Sequence, residues 1–196
     1  MSFIETTFLN DLTICDKLIA YFLDNNSRHS RPVHFLNGKS VEAAPEYKQS
    51  TDLAVVNDNM LECPAISDYL DELDIATTNY ISKWPSCNAY APWSITTAFN
   101  IQYYKPGEGF HSWHTERCGT NEIATTRHLV FMTYLNTVNN GGGTEFLNQN
   151  TTVNAEKGKT LIWPADWTHT HKGVISPTED KFIITGWFNY TTEDTK

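Results

Sequence analysis

Two stretches near the N-terminus carry apolar residues at the three- and four-residue spacing of a helix. The first runs from Ile14 to Phe22 and ends at the polar run Asn25-Asn26-Ser27. The second runs from Ile66 to Ile81, and Trp84-Pro85 ends it because proline does not continue a helix. The stretch between them, His29 to Asn57, lacks periodicity, and we expect a strand with loops or a mobile flap there.

After Pro92 the pattern changes from helical spacing to short apolar runs separated by turn residues. Ser94 to Tyr104 alternates and is rich in Thr, Ile, Phe and Tyr, which predicts a strand ended by Pro106-Gly107. Further short strands are predicted at Leu129–Leu135, Thr144–Leu147, Lys159–Trp163 and Lys181–Tyr190. Helices followed by many short strands indicate an α+β protein built on a sandwich or jelly roll.

The size and composition of the chain fit one packed domain. With 196 residues, 40% hydrophobic, 13% aromatic and six Trp, it can bury a sizeable core and is not obviously long enough for two. We expect a single domain over residues 1–196. Residues 1–90 would form a helical support region with a variable loop, and residues 91–190 the jelly-roll core.

Charge and targeting signals narrow the class of partner. The formal charge of −9 and a pI near 5.1 argue against a nucleic-acid partner or an anionic membrane surface, because both need a basic face. The N-terminus lacks a secretory signal, no apolar run is long enough for a bilayer, and the four cysteines are dispersed. We therefore expect a soluble protein in the cytoplasm of a microbe or a virus-infected host cell.

Candidate chemistry is concentrated in His114-Thr115-Glu116 and the later His169 and His171. On an extended segment, residues at i and i+2 face the same side, so His114 and Glu116 can reach one ion. Two imidazoles and one carboxylate with open positions are typical of non-haem Fe(II) oxygenases. The HxE pair is weak evidence alone, since the chain has seven histidines. Either His169 or His171 can supply the third ligand.

An ordered set of motifs extends this hypothesis along about half of the chain, from Ala98 to Phe188. The motifs are Tyr104, His114-x-Glu116, Arg127, Tyr134-Leu135-Asn136, Gly142-Gly143-Thr144-Glu145-Phe146, His171-x-Gly173 and Lys181. In this order they resemble the prolyl 4-hydroxylase-like family of Fe(II)/2-oxoglutarate-dependent dioxygenases. The resemblance implies a double-stranded β-helix, that is a jelly roll, with supporting N-terminal helices.

The resemblance assigns the metal ligands as His114, Glu116 and His171. It favours His171 over His169 because only His171 has the following Gly173 and a lysine ten residues further on. One departure is that the family normally has Asp where this chain has Glu116, so the ion would lie slightly farther from the backbone or the side chain would fold back. No catalytic residue separate from the metal site is expected.

The same resemblance implies Fe(II) as cofactor, 2-oxoglutarate as cosubstrate and O₂, with ascorbate left open as an accessory reductant. Lys181 would bind the distal carboxylate of 2-oxoglutarate, since a lysine within an apolar strand needs an anionic partner. Tyr104 and Tyr134 match positions whose hydroxyls approach the cosubstrate, and Thr185 matches a residue beside its distal carboxylate. Each of these three can instead be an ordinary core or strand residue.

Two nearby side chains have open roles. Trp187 lies two residues beyond Thr185, on the same strand face, and either walls the iron pocket or packs in the core. Arg127 either faces substrate or pairs with an acid.

The run Gly141–Gly143 suits a tight turn and lacks the ending of a phosphate-binding loop.

The activity that the resemblance implies is hydroxylation of a C–H bond, with release of succinate and CO₂, on a prolyl or other peptidyl residue. The partner would be a peptide, a protein or a small molecule. An alternative is an oxygenase acting on a free amino acid, a small metabolite or an alkylated base, the last disfavoured by the acidic charge. A further alternative is a non-catalytic jelly-roll binding module.

Overall fold

Antiparallel strands make up most of the fold, with the longer helices in the N-terminal half. The computed structural model describes residues 2–36, 39–56, 59–119 and 121–192. The helices are α1 (Thr13–Asp24), α2 (Asn59–Glu62), α3 (Pro64–Lys83) and α4 (Glu122–Thr126). The strands are β1 (Glu5–Phe8), β2 (Val33–Leu36), β3 (Lys39–Glu42), β4 (Thr51–Val55), β5 (Trp93–Ser94), β6 (Phe99–Tyr104), β7 (Arg127–Tyr134), β8 (Thr144–Phe146), β9 (Thr151–Val153), β10 (Lys159–Pro164), β11 (His171–Gly173) and β12 (Lys181–Tyr190).

Two antiparallel sheets enclose an apolar interior. The main sheet has the order β1-β10-β7-β12-β6-β4, with β5 paired to the end of β12. The smaller sheet has the order β11-β8-β9. Phe146 of the smaller sheet packs in one buried cluster with Met132, Trp163 and Ile183 of the main sheet. This face-to-face arrangement is the jelly roll that the strand pattern predicts.

The opposite face of the main sheet is covered by α1 and α3. Because successive side chains of a strand point to opposite faces, Ile184 packs with the helices while Ile183 packs in the jelly-roll interior. The interface is almost wholly apolar, and its main polar contact is the buried bond between the hydroxyls of Tyr69 on α3 and Thr133 on β7, 3.1 Å apart. None of the helices in the described ranges is both long and apolar enough to cross a bilayer.

The structure confirms the α+β jelly roll and both long N-terminal helices. Of the two expectations for residues 29–57, a strand with loops or a mobile flap, it shows strands in the described part of that stretch. The region expected to be helical support contributes β1 and β4 to the main sheet, paired with β10 and β6. The aperiodic stretch from 29 to 57 holds the hairpin of β2 and β3 as well as β4. The run from 94 to 104 is broken, since regular pairing resumes only at Phe99.

Candidate metal and cosubstrate site

His114 and His171 are joined through their backbones. His114 N–H donates to the carbonyl of His171 at 3.0 Å, and His171 N–H donates back to His114 at 2.9 Å. The segment before His114 continues this pairing, because Gly173 N–H donates to the Phe110 carbonyl at 3.0 Å. Pairing of β11 with this segment therefore brings together two histidines that are far apart in the sequence.

The two imidazoles present the same nitrogen to one point in space. Nδ1 of His114 lies 3.0 Å from the Ser112 carbonyl, and Nδ1 of His171 lies 2.9 Å from the His169 carbonyl. A carbonyl oxygen only accepts, so each Nδ1 carries the proton and each Nε2 keeps a lone pair. The Nε2 atoms lie 3.4 and 3.5 Å from Oε1 of Glu116. The three ligand atoms lie within 4.8 Å of one another and can hold a metal ion.

The second carboxylate oxygen of Glu116 has its own partners. The Trp187 indole N–H donates to Oε2 at 2.9 Å, and Nη1 of Arg127 lies 3.3 Å from it. Nη1 of Arg127 also donates to the Glu116 backbone carbonyl at 2.9 Å, and its guanidinium lies 3.6 Å from the centre of the Trp187 ring. Arg127 thus pairs with an acid, and Trp187 reaches the same acid. These contacts hold the longer glutamate side chain with Oε1 facing the histidines.

Protonation in the triad favours metal binding. Burial, and then the neighbouring His171, lower the pKa of His114 below its ordinary value. Burial alone would raise the pKa of Glu116, but the closeness of both imidazoles and the charge of Arg127 hold that pKa well below its usual range. Near neutral pH the carboxylate is therefore ionised and His114 is neutral, as metal ligands must be.

Aromatic rings fix the two imidazoles in place. The Phe110 ring stacks flat on His114, with centroids 3.5 Å apart and an interplanar angle of 4°. The rings of Trp163 and His171 form an edge-to-face contact, with an interplanar angle of 80° and centroids 5.1 Å apart. Sequence reasoning missed Phe110, although its place four residues before His114 in a strand-like segment was a usable signal.

His169 points away from the triad. Its Nε2 lies 2.7 Å from the Ser2 carbonyl, and its Nδ1 lies 2.9 Å from the Thr168 hydroxyl. The turn at Trp167–His169 breaks the strand alternation that would have placed His169 beside His171. Both of its ring nitrogens have protein partners outside the site.

Lys181 lies buried on β12, facing the same interior. Its Nζ is 5.1 Å from the centre of the Tyr104 ring and 5.7 Å from that of Tyr134. Within the described parts of the chain, no carboxylate lies within ion-pair distance of this ammonium. Burial, and then the charge of Lys48, lower the pKa of Lys181 to about 8. A buried ammonium in this position calls for an anionic ligand.

The other residues expected to contact the cosubstrate already have partners. The Tyr104 hydroxyl donates to Oε1 of Gln102 at 2.6 Å. The Tyr134 hydroxyl lies 2.7 Å from the Thr144 hydroxyl. The Thr185 hydroxyl donates to the backbone carbonyl of Phe131 at 2.9 Å, so its proton is used within the sheet.

Sequence reasoning also missed a buried polar cluster beside Lys181. Nζ of Lys48 lies 3.2 Å from Oδ2 of Asp52, and the Ser50 hydroxyl donates to Oδ1 of Asp52 at 2.7 Å. These residues belong to the aperiodic stretch between the long helices. Nothing in their local sequence signals burial, because their burial depends on pairing with distant strands.

Comparison with known proteins agrees with this geometry. Residues 99–189 match the family model described as the 2OG-Fe(II) oxygenase superfamily. The three candidate ligands and Lys181 all lie within that match. No curated protein matches the chain significantly.

Solved structures of prolyl hydroxylases share the fold. The viral collagen prolyl hydroxylase of Paramecium bursaria Chlorella virus-1, in complex with 2-oxoglutarate, is 16% identical, with 97% of each chain covered and a TM-score of 0.69. A Pseudomonas putida prolyl-4-hydroxylase is 14% identical over 97% of this chain and 94% of its own, at a TM-score of 0.69. A Trichoplax adhaerens prolyl hydroxylase in complex with a hypoxia-inducible-factor peptide is 17% identical, with 96% of this chain and 84% of its own covered and a TM-score of 0.71.

Residues 99–189 match the 2OG-Fe(II) oxygenase superfamily, and the chain is a 2-oxoglutarate-dependent dioxygenase with a prolyl 4-hydroxylase-like fold. Members of this superfamily require Fe(II), 2-oxoglutarate and O₂, and the set His114, Glu116 and His171 suits Fe(II) because imidazole and carboxylate leave part of its coordination shell open. The family expected from the ordered motifs is thereby confirmed. The chain departs from the family in having Glu116 in place of Asp. Glutamate keeps the charge, and its side chain reaches both Trp187 and Arg127.

Proposed function

We propose that this dioxygenase hydroxylates a C–H bond of a prolyl or other peptidyl residue and releases succinate and CO₂. The observation that carries the proposal is that one jelly-roll interior holds both the two-histidine, one-carboxylate triad and a buried lysine that has no acidic partner among the described residues. A peptidyl substrate is supported by the three prolyl hydroxylases of similar fold, one of which holds a peptide.

In this proposal Nε2 of His114, Nε2 of His171 and Oε1 of Glu116 hold Fe(II). With 2-oxoglutarate and O₂, the bound iron supplies the oxidising chemistry that the protein lacks. The chain supplies orientation. Arg127 and Trp187 hold Oε2 of the carboxylate, so that Oε1 faces the ion, and the histidine Nδ1–H bonds fix both rings.

Lys181 binds the distal carboxylate of 2-oxoglutarate in the same proposal. Its ammonium lies over the rings of Tyr104 and Tyr134, 5.1 and 5.7 Å from their centres. Thr185 lies two residues from Trp187 on the inner face of β12, but its hydroxyl proton is bonded to Phe131. We therefore expect Thr185 to contribute shape or a lone pair, not a hydrogen bond to the carboxylate.

The test is a hydroxylation assay on a peptide library that includes proline-rich sequences, with Fe(II), 2-oxoglutarate and O₂. Mass spectrometry should find peptides that gain one oxygen atom, with succinate formed in equal amount. Glu116→Ala serves as the inactive control. Oxygen gained by a free amino acid or a small metabolite, and by no peptide, would overturn the peptidyl assignment in favour of the alternative substrate class.

A further inference from the structure

A buried ion pair, Lys48 with Asp52, lies beside the lysine that we assign to the cosubstrate. The side chains of Lys48 and Asp52 are 10% and 11% exposed. Ion pairs are costly to bury, so one placed next to a functional site needs a reason. The reason is not the metal, because neither residue belongs to the cluster that can hold an ion.

Strand register places the pair on the same face as Lys181. On β6, Gln102 and Tyr104 are two residues apart and point to the same side. Gln102 is paired across to Asp52 on β4, and Tyr104 is paired across to Lys181 on β12. The bond from the Tyr104 hydroxyl to Gln102 connects the two positions. Asp52 and Lys181 thus lie on the two strands that flank β6, facing the same side and offset by two residues.

The segment that carries Lys48 is held firmly at the metal site. The backbones of Lys48 and Phe110 pair in an antiparallel bridge, and the Phe110 ring stacks on His114. Gln49 N–H donates to the Gly109 carbonyl at 2.9 Å, and His111 N–H donates to the Tyr47 carbonyl at 3.0 Å. The lysine is therefore positioned before any ligand arrives.

The charges in this cluster do not cancel. Asp52 neutralises Lys48, and both of its oxygens are occupied, by Lys48 and by Ser50. Lys181 has no such partner within the described residues, and burial, followed by the charge of Lys48, lowers the pKa of Lys181. One positive charge is left in excess. An ammonium has three donors, and Lys48 uses one on Asp52. The other two N–H groups have no hydrogen-bond partner among the described residues and are left for a ligand.

We propose that Lys48 is a second cation for the distal carboxylate of 2-oxoglutarate, with Asp52 as the residue that positions it. This inference rests on the proposed role of Lys181. The distal carboxylate would lie between two buried ammonium groups, and its negative charge would balance the cluster. Asp52 keeps the Lys48 side chain directed into the interior when the cosubstrate is absent.

The test measures binding rather than turnover. 2-Oxoglutarate is titrated calorimetrically into the anaerobic Fe(II)-loaded protein, and Fe(II) affinity is measured separately without cosubstrate. Lys48→Met should weaken 2-oxoglutarate binding about tenfold or more, the effect of losing one charge-assisted bond, and leave Fe(II) affinity unchanged. For 2-oxobutanoate, which lacks the distal carboxylate, the same substitution should change affinity little. Lys159→Met, which removes a lysine paired with Glu156 outside the site, is the matched control and should bind as the wild type does.

A double variant separates the proposal from simple repulsion. Lys48→Met leaves Asp52 as an unpaired buried acid, which by itself would repel the cosubstrate. Lys48→Met with Asp52→Asn removes that acid. If affinity returns to the wild-type value in the double variant, Lys48 does not contact the carboxylate and the inference is wrong. Continued weak binding supports it, and the neutral double variant also decides the question if the single variant does not fold.

Failure of the inference can be told apart from failure of the proposed function. If the wild-type protein does not bind 2-oxoglutarate, the proposed function fails. If the wild type binds, Lys181→Met abolishes binding and Lys48→Met leaves it unchanged, only the role of Lys48 is overturned.

Discussion

The indole N–H of Trp187 should control metal affinity through Glu116, although Trp187 is not expected to touch the metal. It donates to Oε2 of Glu116 at 2.9 Å, and the other oxygen faces the two histidines. Trp187→Phe keeps an aromatic ring beneath the Arg127 guanidinium and removes this one donor. The substitution therefore tests the hydrogen bond more than the packing.

The size of the effect follows from the charge of the acceptor. A hydrogen bond to an ionised group contributes about 1.5–3 kcal/mol. Loss of an outer partner of a metal ligand costs about 10- to 100-fold in metal affinity. Arg127 continues to hold Oε2 at 3.3 Å, so we expect the lower part of this range, about tenfold.

The assay is anaerobic titration of Fe(II), or of Co(II) as a spectroscopic substitute, into the protein without cosubstrate. Trp93→Phe is the matched control, because its indole N–H donates at 3.1 Å to the backbone carbonyl of Cys87, away from the triad. We expect weaker metal binding in Trp187→Phe and unchanged binding in Trp93→Phe. Equal metal affinity in the two variants would refute the idea that Trp187 orients the carboxylate.

Four further predictions concern the triad and Lys181. Glu116→Asp keeps the charge but draws the carboxylate back from Trp187, so Fe(II) titration should show weaker binding than in the wild type; equal or tighter binding would contradict the fit described for glutamate. His171→Ala should abolish Fe(II) binding and His169→Ala should retain it, and the reverse result would reassign the ligand. Lys181→Met should stabilise the ligand-free protein at pH 7 by about 3 kcal/mol in denaturant unfolding, because the pKa of Lys181 falls from 10.5 to about 8 on folding. The cost of burying the ammonium is present below pH 8 and is relieved as pH rises from about 8 to 10.5. The affinity of the wild-type protein for 2-oxoglutarate should fall above pH 8, because Lys181 loses its proton there. A flat affinity profile from pH 7 to 9 would show that the charge of Lys181 does not bind the cosubstrate.

Local patterns in the sequence predicted the parts of the fold that depend on local physics. The apolar spacing from Ile14 to Phe22 and from Ile66 to Ile81 falls within α1 and α3. Alternation and turn residues predicted most strands of the jelly roll. The short strand β1 was missed, because four residues with one exposed face carry too little pattern to separate them from a loop.

Long-range pairing decides the parts of the site that the sequence did not predict. His114, Glu116 and His171 were found because the ligand chemistry restricts the residue types and the motifs come in a fixed order. The partner of Arg127 remained open because a guanidinium suits many acceptors. Nothing in the local sequence marks Lys48 and Asp52 as buried. The pairing of β4 with β6 places Asp52 in the interior, and the backbone bridge to Phe110 positions Lys48.

The backbone bridge between His114 and His171 bears on whether the site stays assembled when the metal is lost. In small zinc domains the ion assembles its own ligands, and its loss unfolds the chain. Here two main-chain hydrogen bonds and the ring stack on Phe110 assemble the histidines independently of any ion. We therefore expect exchange of iron to involve side chains alone, so that a molecule that loses its Fe(II) to oxidation or chelation is reloaded without refolding.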